Sequence, residues 1–382
     1  MRIFAAGLVI TFIGSIGSPA LAAEGDAPTV KGNIEIYGQA KVSYDMIDTG
    51  AKSPADETLH KISTNSSRLG FKGAEDLGDG MSAVFQVELG INVDGTTTSV
   101  VSSIPTTTAN PTKSEIDKIT YRNTFVGLRH QAAGTLLIGI YDTPYKTSTG
   151  RLDLFADSIG DYNAVIGTVN GTANFELRTK DSIVYQSPSW GGMNIALGRS
   201  VTGSETNTTN AGNASLSSAS VSYDVKPLYI TAAYEIHKNA FTTWDTNAYQ
   251  NSGIRIGAGA VFGSTKVGAV YEQLKDDKPN SDKSRNAVYA SASQTFGKET
   301  IKIAYASAGD GENPTTKTGA TMMAVGLDHA FSKRTTVFVL YAQTKNEQQA
   351  TYGFGQGGPG GSFTPNAGED PSVVSFGLNH IF

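Results

Sequence analysis

Residues 32–45, GNIEIYGQAKVSYD, alternate between two kinds of side chain. The even positions from Ile34 to Tyr44 are apolar or small, and the odd positions from Glu35 to Asp45 are polar or carry a polar tip. Because successive side chains of a strand point to opposite faces, this period predicts a strand with one apolar and one polar face. A soluble sandwich would pack the apolar face on a second sheet, whereas a membrane barrel would turn it toward lipid.

The same alternation recurs along the chain and predicts sixteen antiparallel strands. We expect them at residues 32–45, 60–73, 81–94, 118–130, 134–141, 178–187, 193–201, 216–225, 228–237, 253–263, 265–273, 285–296, 300–308, 320–331, 335–345 and 371–382. An even number of strands is what an up-and-down barrel of the bacterial outer membrane requires.

The predicted connections alternate between short and long. Seven short turns separate eight long polar loops at residues 46–59, 95–117, 142–177, 202–215, 238–252, 274–284, 309–319 and 346–370. Outer-membrane barrels have short periplasmic turns and long outside loops, and a soluble sandwich has no reason to sort its loops in this way. We therefore expect an all-β fold, a 16-stranded antiparallel transmembrane β-barrel whose apolar face meets lipid and whose polar face lines water.

The N-terminal residues predict export. MRIFAAGLVITFIGSIGSPALAA has one basic residue, Arg2, then an apolar stretch and small residues before Ala22 and Ala23, which is the pattern of a secretory signal. We expect a signal peptide at residues 1–22 and the barrel domain at 23–382. The chain has no cysteine, so a closed hydrogen-bonded barrel rather than disulfides would stabilise an exported protein of 382 residues.

The composition and motifs exclude several other classes of function. A net charge of -5 without a basic block argues against nucleic acid as a partner. None of the five histidines has HExxH spacing, and no GxSxG surrounds a serine, so we expect no enzyme. We expect neither a cofactor nor a metal, since cysteine is absent and the acidic loops lack a calcium-loop pattern.

Four stretches resemble the Gram-negative general porin family, whose members are trimeric sixteen-stranded diffusion channels. They are SSRLGFKGAEDLGDGMSAVFQVE (66–88), NTFVGLRHQAAGTLLIG (123–139), DSIVYQSPSWGGMNIALG (181–198) and the ending GLNHIF (377–382). The resemblance implies a homotrimer in the outer membrane, in contact with its lipid and lipopolysaccharide. It also implies that the terminal aromatic, Phe382, is an address for the barrel-assembly machinery.

The resemblance further implies where the pore narrows. In this family the third outside loop folds into the barrel, and its carboxylates face arginines of the wall. The matching loop is 142–177, and the implied constriction consists of Asp142, Asp153, Asp157, Asp161 and Glu176 on the loop, with Arg68, Arg122, Arg178, Lys72 and Lys180 on the wall. Opposed charges across a narrow aqueous gap orient dipolar solutes and disfavour apolar ones.

Two further features of the sequence bear on the resemblance. Many relatives carry a Gly-Arg pair where this chain has Gly139-Ile140, and the missing arginine would weaken a preference for anions. Loop 95–117 matches the family loop that reaches over the neighbouring subunit, although its Ser/Thr-rich composition is equally that of a disordered loop.

We therefore expect passive diffusion of small hydrophilic solutes and ions through a water-filled channel. One alternative is a substrate-selective channel for a sugar or for an organic or inorganic anion, which aromatic residues near the third loop leave open: Tyr141, Tyr145, Phe155 and Tyr162. Another is a barrel that serves as a surface adhesin or anchor.

Overall fold

The computed structural model describes residues 33–51, 58–94, 119–201, 214–238, 250–355 and 363–382. The predicted signal peptide (1–22) and the loop 95–117 lie outside these residues. The wall consists of β1 (Asn33–Asp48), β2 (Thr58–Thr64 and Arg68–Gly78), β3 (Met81–Ile91), β4 (Ile119–Tyr121 and Thr124–His130), β5 (Gly134–Asp142), β6 (Arg178–Gln186), β7 (Met193–Val201), β8 (Ser215–Val225), β9 (Leu228–Lys238), β10 (Asn251–Phe262), β11 (Thr265–Asp276), β12 (Arg285–Phe296), β13 (Glu299–Ala308), β14 (Ala320–Ala330), β15 (Thr335–Asn346) and β16 (Ser372–Ile381).

These strands form one closed sheet. Each is antiparallel to its neighbour in sequence, and β1 pairs with β16 from Gln39 opposite Ile381 to Asp48 opposite Ser372. Because the first and last strands join, the sheet keeps no unpaired edge, which hydrocarbon would not tolerate. The predicted sixteen-stranded antiparallel barrel is confirmed.

Two strands are interrupted beside arginines. Strand β2 breaks at residues 65–67, where Ser66 has a φ of 55°, and Arg68 is the first residue of its second piece. Strand β4 breaks at Arg122 and Asn123, between its two pieces. Regular strand pairing is therefore interrupted just before Arg68 and at Arg122.

The two faces of the wall differ as the alternation predicts. On β13, Ile303 and Tyr305 are 54% and 47% exposed, while Ala304 and Ala306 between and after them are buried. The exposed apolar side chains form the outer surface of the barrel, and the buried alternate positions point inward.

The inner face changes character around the barrel. It carries polar side chains on β1, β3 and β9–β11, such as Asp45, Glu88, Glu235 and Glu272. On β12–β15 it is largely small and apolar, with Ala287, Ala304, Ala306, Ala308, Ala320, Met322, Ala324, Leu340 and Ala342 buried in one cluster. On this side the inner face is therefore less polar than strict alternation predicts, and side chains of the loop after β5 pack against it.

The loop after β5, residues 143–177, has short elements of its own. Helix α1 (Pro144–Thr149) begins with a proline, and the hydroxyl of Thr143 caps it by accepting a hydrogen bond from Lys146 N at 3.3 Å. Two 3-10 turns follow at Gly150–Leu152 and Tyr162–Ala164. A two-residue hairpin turn, Asn170-Gly171, joins short strands at Thr168–Val169 and Thr172–Ala173. Across the described ranges, every helix is too short or too polar to span a membrane.

Candidate functional site

A cleft of about 260 Å³ separates the loop after β5 from the wall. Charged side chains of both signs line it. The positive ones are Arg122 and Arg178 on the wall and Lys146 on helix α1, and the negative ones are Asp153, Asp157, Asp161 and Glu176 on the loop. The cleft thus combines six of the ten charged residues that the resemblance implies with one lysine that it does not.

Arg68 connects the wall to the middle of the loop. Its guanidinium lies 3.0 Å from Asp157 Oδ2 and donates a second hydrogen bond to Gln39 Oε1 at 3.0 Å. Lys41 Nζ donates to the carbonyl of Ala156 at 2.9 Å. Burial alone would raise the pKa of Asp157, but the charges of Arg68 and Lys41 lower it to about 2. Asp157 is therefore ionised at every pH near neutrality.

The cations of the cleft have carboxylates behind them. Arg122 Nε donates to Glu88 Oε1 at 2.7 Å. The carboxylate of Asp142, fully buried at the end of β5, lies 3.1 Å from Arg178 and 2.9 Å from Lys146. Asp142 therefore binds Arg178 of the wall and Lys146 of the loop at one edge of the cleft. The family resemblance implies instead that it faces the wall arginines across the passage.

Asp153 and Asp161 stabilise the fold of the loop. Asp153 accepts hydrogen bonds from Tyr162 N at 3.2 Å and from the Tyr289 hydroxyl at 3.0 Å. Asp161 accepts from the backbone N–H groups of Asp157 and Asn163, both at 2.8 Å. Burial raises the pKa of both carboxyls, and the negative charge of Asp161 raises that of Asp153 further. Both carboxyls are therefore harder to ionise than those of free aspartates.

Glu176, which lines the cleft, also belongs to a buried charge cluster with residues of β10–β12. Its carboxylate lies 2.5 Å from Arg255, which also lies 2.6 Å from Glu272. Arg285 lies 3.3 Å from Glu272 and donates to the carbonyl of Val165 at 2.6 Å. Burial raises the pKa of Glu176 to about 7, against the opposing effect of Arg255. Its charge therefore changes near neutral pH.

The two remaining lysines of the implied set lie elsewhere. Lys72 is 3.0 Å from Glu35 on β1 and lies over the ring of Tyr37. Lys180 is exposed on β6, beside a bulge between Thr179 and Ser182, and forms no ion pair with the described loop carboxylates. The structure does not bring either side chain into the lining of the cleft.

Sequence reasoning did not single out Lys146, Glu88 or Lys41. Lys146 follows Asp142 by four residues, but Asp142 ends β5 and Lys146 lies on helix α1, so only the structure shows that they pair. Glu88 lies on the polar face of its strand, but only the tertiary structure shows that it pairs with Arg122.

Comparison with known proteins places these features in context. Residues 6–349 match the family model described as Gram-negative porin. Outer membrane porin protein 32 of Delftia acidovorans is 25% identical over 371 residues, covering 95% of this chain and 97% of that protein.

Solved structures share the same fold. The anion-selective porin from Comamonas acidovorans superposes with a TM-score of 0.75 at 24% identity, covering 92% of this chain and 100% of that chain. OmpT of Vibrio cholerae in its trimer form superposes with a TM-score of 0.61 at 14% identity, covering 92% and 99%. At these identities, the similarity to the two structures concerns the architecture of the barrel.

Proposed function

The chain belongs to the Gram-negative porin family, and we propose that small hydrophilic solutes and ions cross it through the cleft beside Arg122 and Arg178. The protein is a diffusion channel of the outer membrane, as its porin relatives are. Passive diffusion needs no energy source, cofactor or catalytic step. The observation that carries this proposal is a cleft lined by charges of both signs inside a closed barrel.

The loop after β5 is the constriction. It contacts the wall on two distant sides, since Asp157 pairs with Arg68 on β2 while Asp153 accepts a hydrogen bond from Tyr289 on β12. The carbonyl of Leu152 accepts another from Ser291 Oγ at 3.0 Å. A segment bonded to both sides of a closed wall crosses the bore and sets the size limit for solutes.

The charges of the cleft favour anions weakly. Arg122, Arg178 and Lys146 line it, and their partner carboxylates lie behind them. On the other side, burial raises the pKa of Asp153, Asp161 and Glu176 and so disfavours their charged forms. Positive charge at a narrow passage raises the local concentration of anions. Ile140 stands where many relatives carry an arginine, so the preference for anions is expected to be small.

The assembled state follows the family. A homotrimer in contact with outer-membrane lipid and lipopolysaccharide is supported by the trimer form of OmpT from Vibrio cholerae and by the apolar outer face of the wall. Phe382, which is exposed and whose backbone pairs with Gly38, is in a position to be bound by the barrel-assembly machinery. Cleavage of the signal peptide 1–22 would precede this step.

General diffusion is favoured over a path for one substrate. A sugar path requires aromatic side chains stacked along the passage. All four aromatic residues near the loop are buried (Tyr141, Tyr145, Phe155 and Tyr162), and of these four Tyr162 alone lines the cleft. A single aromatic side chain offers one stacking contact, not the series of contacts along the passage that a sugar path requires.

Liposome swelling tests the proposal. Liposomes that contain the purified protein are placed in isosmotic solutions of neutral sugars of increasing size. We expect fast swelling with the smallest sugars and a rate that falls as the sugar grows. Swelling no faster than that of empty liposomes would overturn the proposal.

A further inference from the structure

The last outside loop lies on the constriction loop. This loop joins β15 to β16, and its described residues are 347–355 and 363–371. Thr351 N donates to Asn170 Oδ1 at 2.8 Å, and the Thr351 hydroxyl donates to the carbonyl of Asn170 at 3.0 Å. Gly355 N donates to the carbonyl of Ile159 at 3.3 Å. The two loops are therefore hydrogen bonded at the hairpin tip and at a second place nearer the middle of the constriction loop.

The same segment is fixed to the wall. Asn346, the last residue of β15, donates to the carbonyls of Tyr352 and Glu369 at 2.9 and 2.7 Å and accepts from Tyr352 N at 2.9 Å. Thr344 on β15 donates to the carbonyl of Gly353 at 2.8 Å. Residues 351–353 thus connect β15 to the hairpin tip of the constriction loop.

Apolar side chains of the two loops pack together against the wall. Ala350, Tyr352 and Phe354 are 0–3% exposed and belong to the cluster that includes Val165 and Ile166 of the constriction loop. The same cluster contains the inward-facing alanines of β12–β15. Between the two loops there remains a pocket of about 30 Å³, lined among others by Thr168 and Thr351, which has room for a water molecule but not for a path of solutes.

The fit between the loops is close where glycines lie. A Cβ on Gly355 would lie 2.3 Å from Cβ of Asp161, and one on Gly171 would lie 2.5 Å from the carbonyl oxygen of Thr351. Gly171 also has a φ of 78°, which favours glycine. These positions allow the backbones of the two loops to touch.

We propose that the last outside loop is a positioning element of the pore. It holds the constriction loop against β12–β15, closes that side of the bore, and confines solutes to the cleft on the arginine side. Asn170 and Thr351 are the positioning residues. The inference rests on the proposed function, because it specifies which part of the bore conducts. Helix α1 has only six residues, so tertiary contacts rather than helix propensity must hold the constriction loop in place.

Thiol accessibility tests which side is open. The chain has no cysteine, so one introduced thiol is the only target. Ala156→Cys places it in the lining of the cleft, and the matched Ala306→Cys places it under the constriction loop. Folded protein in liposomes is treated with a small anionic thiosulfonate, and mass spectrometry measures the adduct over time. We expect Cys at 306 to react at least about tenfold more slowly than Cys at 156, since it reacts only through local opening. Complete labelling of both variants after unfolding confirms that the thiols are present.

A second pair of variants tests the contact between the loops. In the Ala306→Cys background, Asn170→Gly with Thr351→Val removes the side-chain acceptor and the hydroxyl donor. Glycine retains the φ of 45° that Asn170 adopts. We expect this variant to label about tenfold faster at 306 and to show larger fluctuations of the open-channel current. The control Asn170→Asp retains an acceptor oxygen and keeps labelling slow.

Two results would overturn the inference. One is labelling at 306 as fast as at 156 in the otherwise native chain, and the other is unchanged labelling when the contact between the loops is removed. Either result would be compatible with normal conductance and normal liposome swelling, so it would not contradict the proposed function. Failure of the proposed function would instead appear as a native protein without swelling or current.

Discussion

Arg68 and Asp157 lie 89 residues apart in the sequence, yet their side chains form an ion pair of 3.0 Å. Both side chains are mostly buried, at 14% and 10% exposure. The pair fastens the middle of the constriction loop to β2, which is separated from β15 by β16 and β1. In a largely buried pair, loss of one partner leaves an uncompensated charge. We therefore expect the two residues to affect both loop position and ion selectivity.

Asp157→Asn and Arg68→Gln should change ion selectivity in opposite directions. Asp157→Asn leaves Arg68 uncompensated and should increase the preference for anions, whereas Arg68→Gln should shift it toward cations. The double variant should return close to the native value, because each single change removes one of two opposite charges. Reversal potentials in a salt gradient measure the effect. Shifts of the same sign for both single variants would contradict the assignment of the pair.

Lys146→Met should reduce the preference for anions. Lys146 lines the cleft beside Arg178, and both share Asp142. Without Lys146, Asp142 compensates only Arg178, so one positive charge is lost from the passage. Lys180→Met is the matched control, since Lys180 lies outside the lining of the cleft. Equal shifts of reversal potential in the two variants would show that position within the cleft does not matter.

Joint removal of Arg68 and Arg122 should shift selectivity toward cations. Arg68→Ala with Arg122→Ala leaves the carboxylates of Asp157 and Glu88 without these partners. The reversal potential should change sign or move toward that of a cation channel. An unchanged reversal potential would mean that neither arginine contributes to the filter.

Selectivity should also depend on pH near neutrality. The pKa of Glu176 is raised to about 7, so the carboxyl is largely ionised at higher pH and gains a proton as the pH falls through that value. The cleft then becomes more positive, and the preference for anions should rise as pH falls from about 8 to about 6. Glu176→Gln should remove this dependence. A dependence that persists in Glu176→Gln would assign it to another group.

The outer face should tolerate apolar but not charged substitutions. Ile303 lies in the middle of β13 and is 54% exposed. Ile303→Lys would place a charge in hydrocarbon and should lower the free energy of unfolding in lipid by about 2–4 kcal/mol. Ile303→Val should have little effect. Denaturant titration in lipid vesicles measures both, and equal stability of the two variants would contradict a lipid-facing position.

The sequence predicts the wall better than it predicts the site. A period of two, with turn residues at regular intervals, is local information, and all sixteen predicted strands occur. The boundaries of β2 differ from the predicted 60–73, because the strand breaks at Ser66 and continues to Gly78. Polar contacts of Asn65 and Ser67 with β1 stabilise this break, and they become visible only in the tertiary structure.

The path of the constriction loop was beyond prediction for a physical reason. Its position depends on contacts between residues far apart in sequence, such as Asn170 and Thr351. The alternation of strands also cannot reveal a bulge, and the one between Thr179 and Ser182 changes the register beside Lys180. The Asp142–Lys146 pair is close in sequence but joins the end of β5 to helix α1, so it depends on how the chain turns at Thr143.

Planar-bilayer recording in a salt gradient tests the central claim most directly. We expect insertion to give stable current in groups of three equal steps, with a reversal potential on the anion side that moves toward cations in Arg122→Ala. A protein that inserts into the bilayer and passes no current would contradict the existence of a water-filled passage through the barrel.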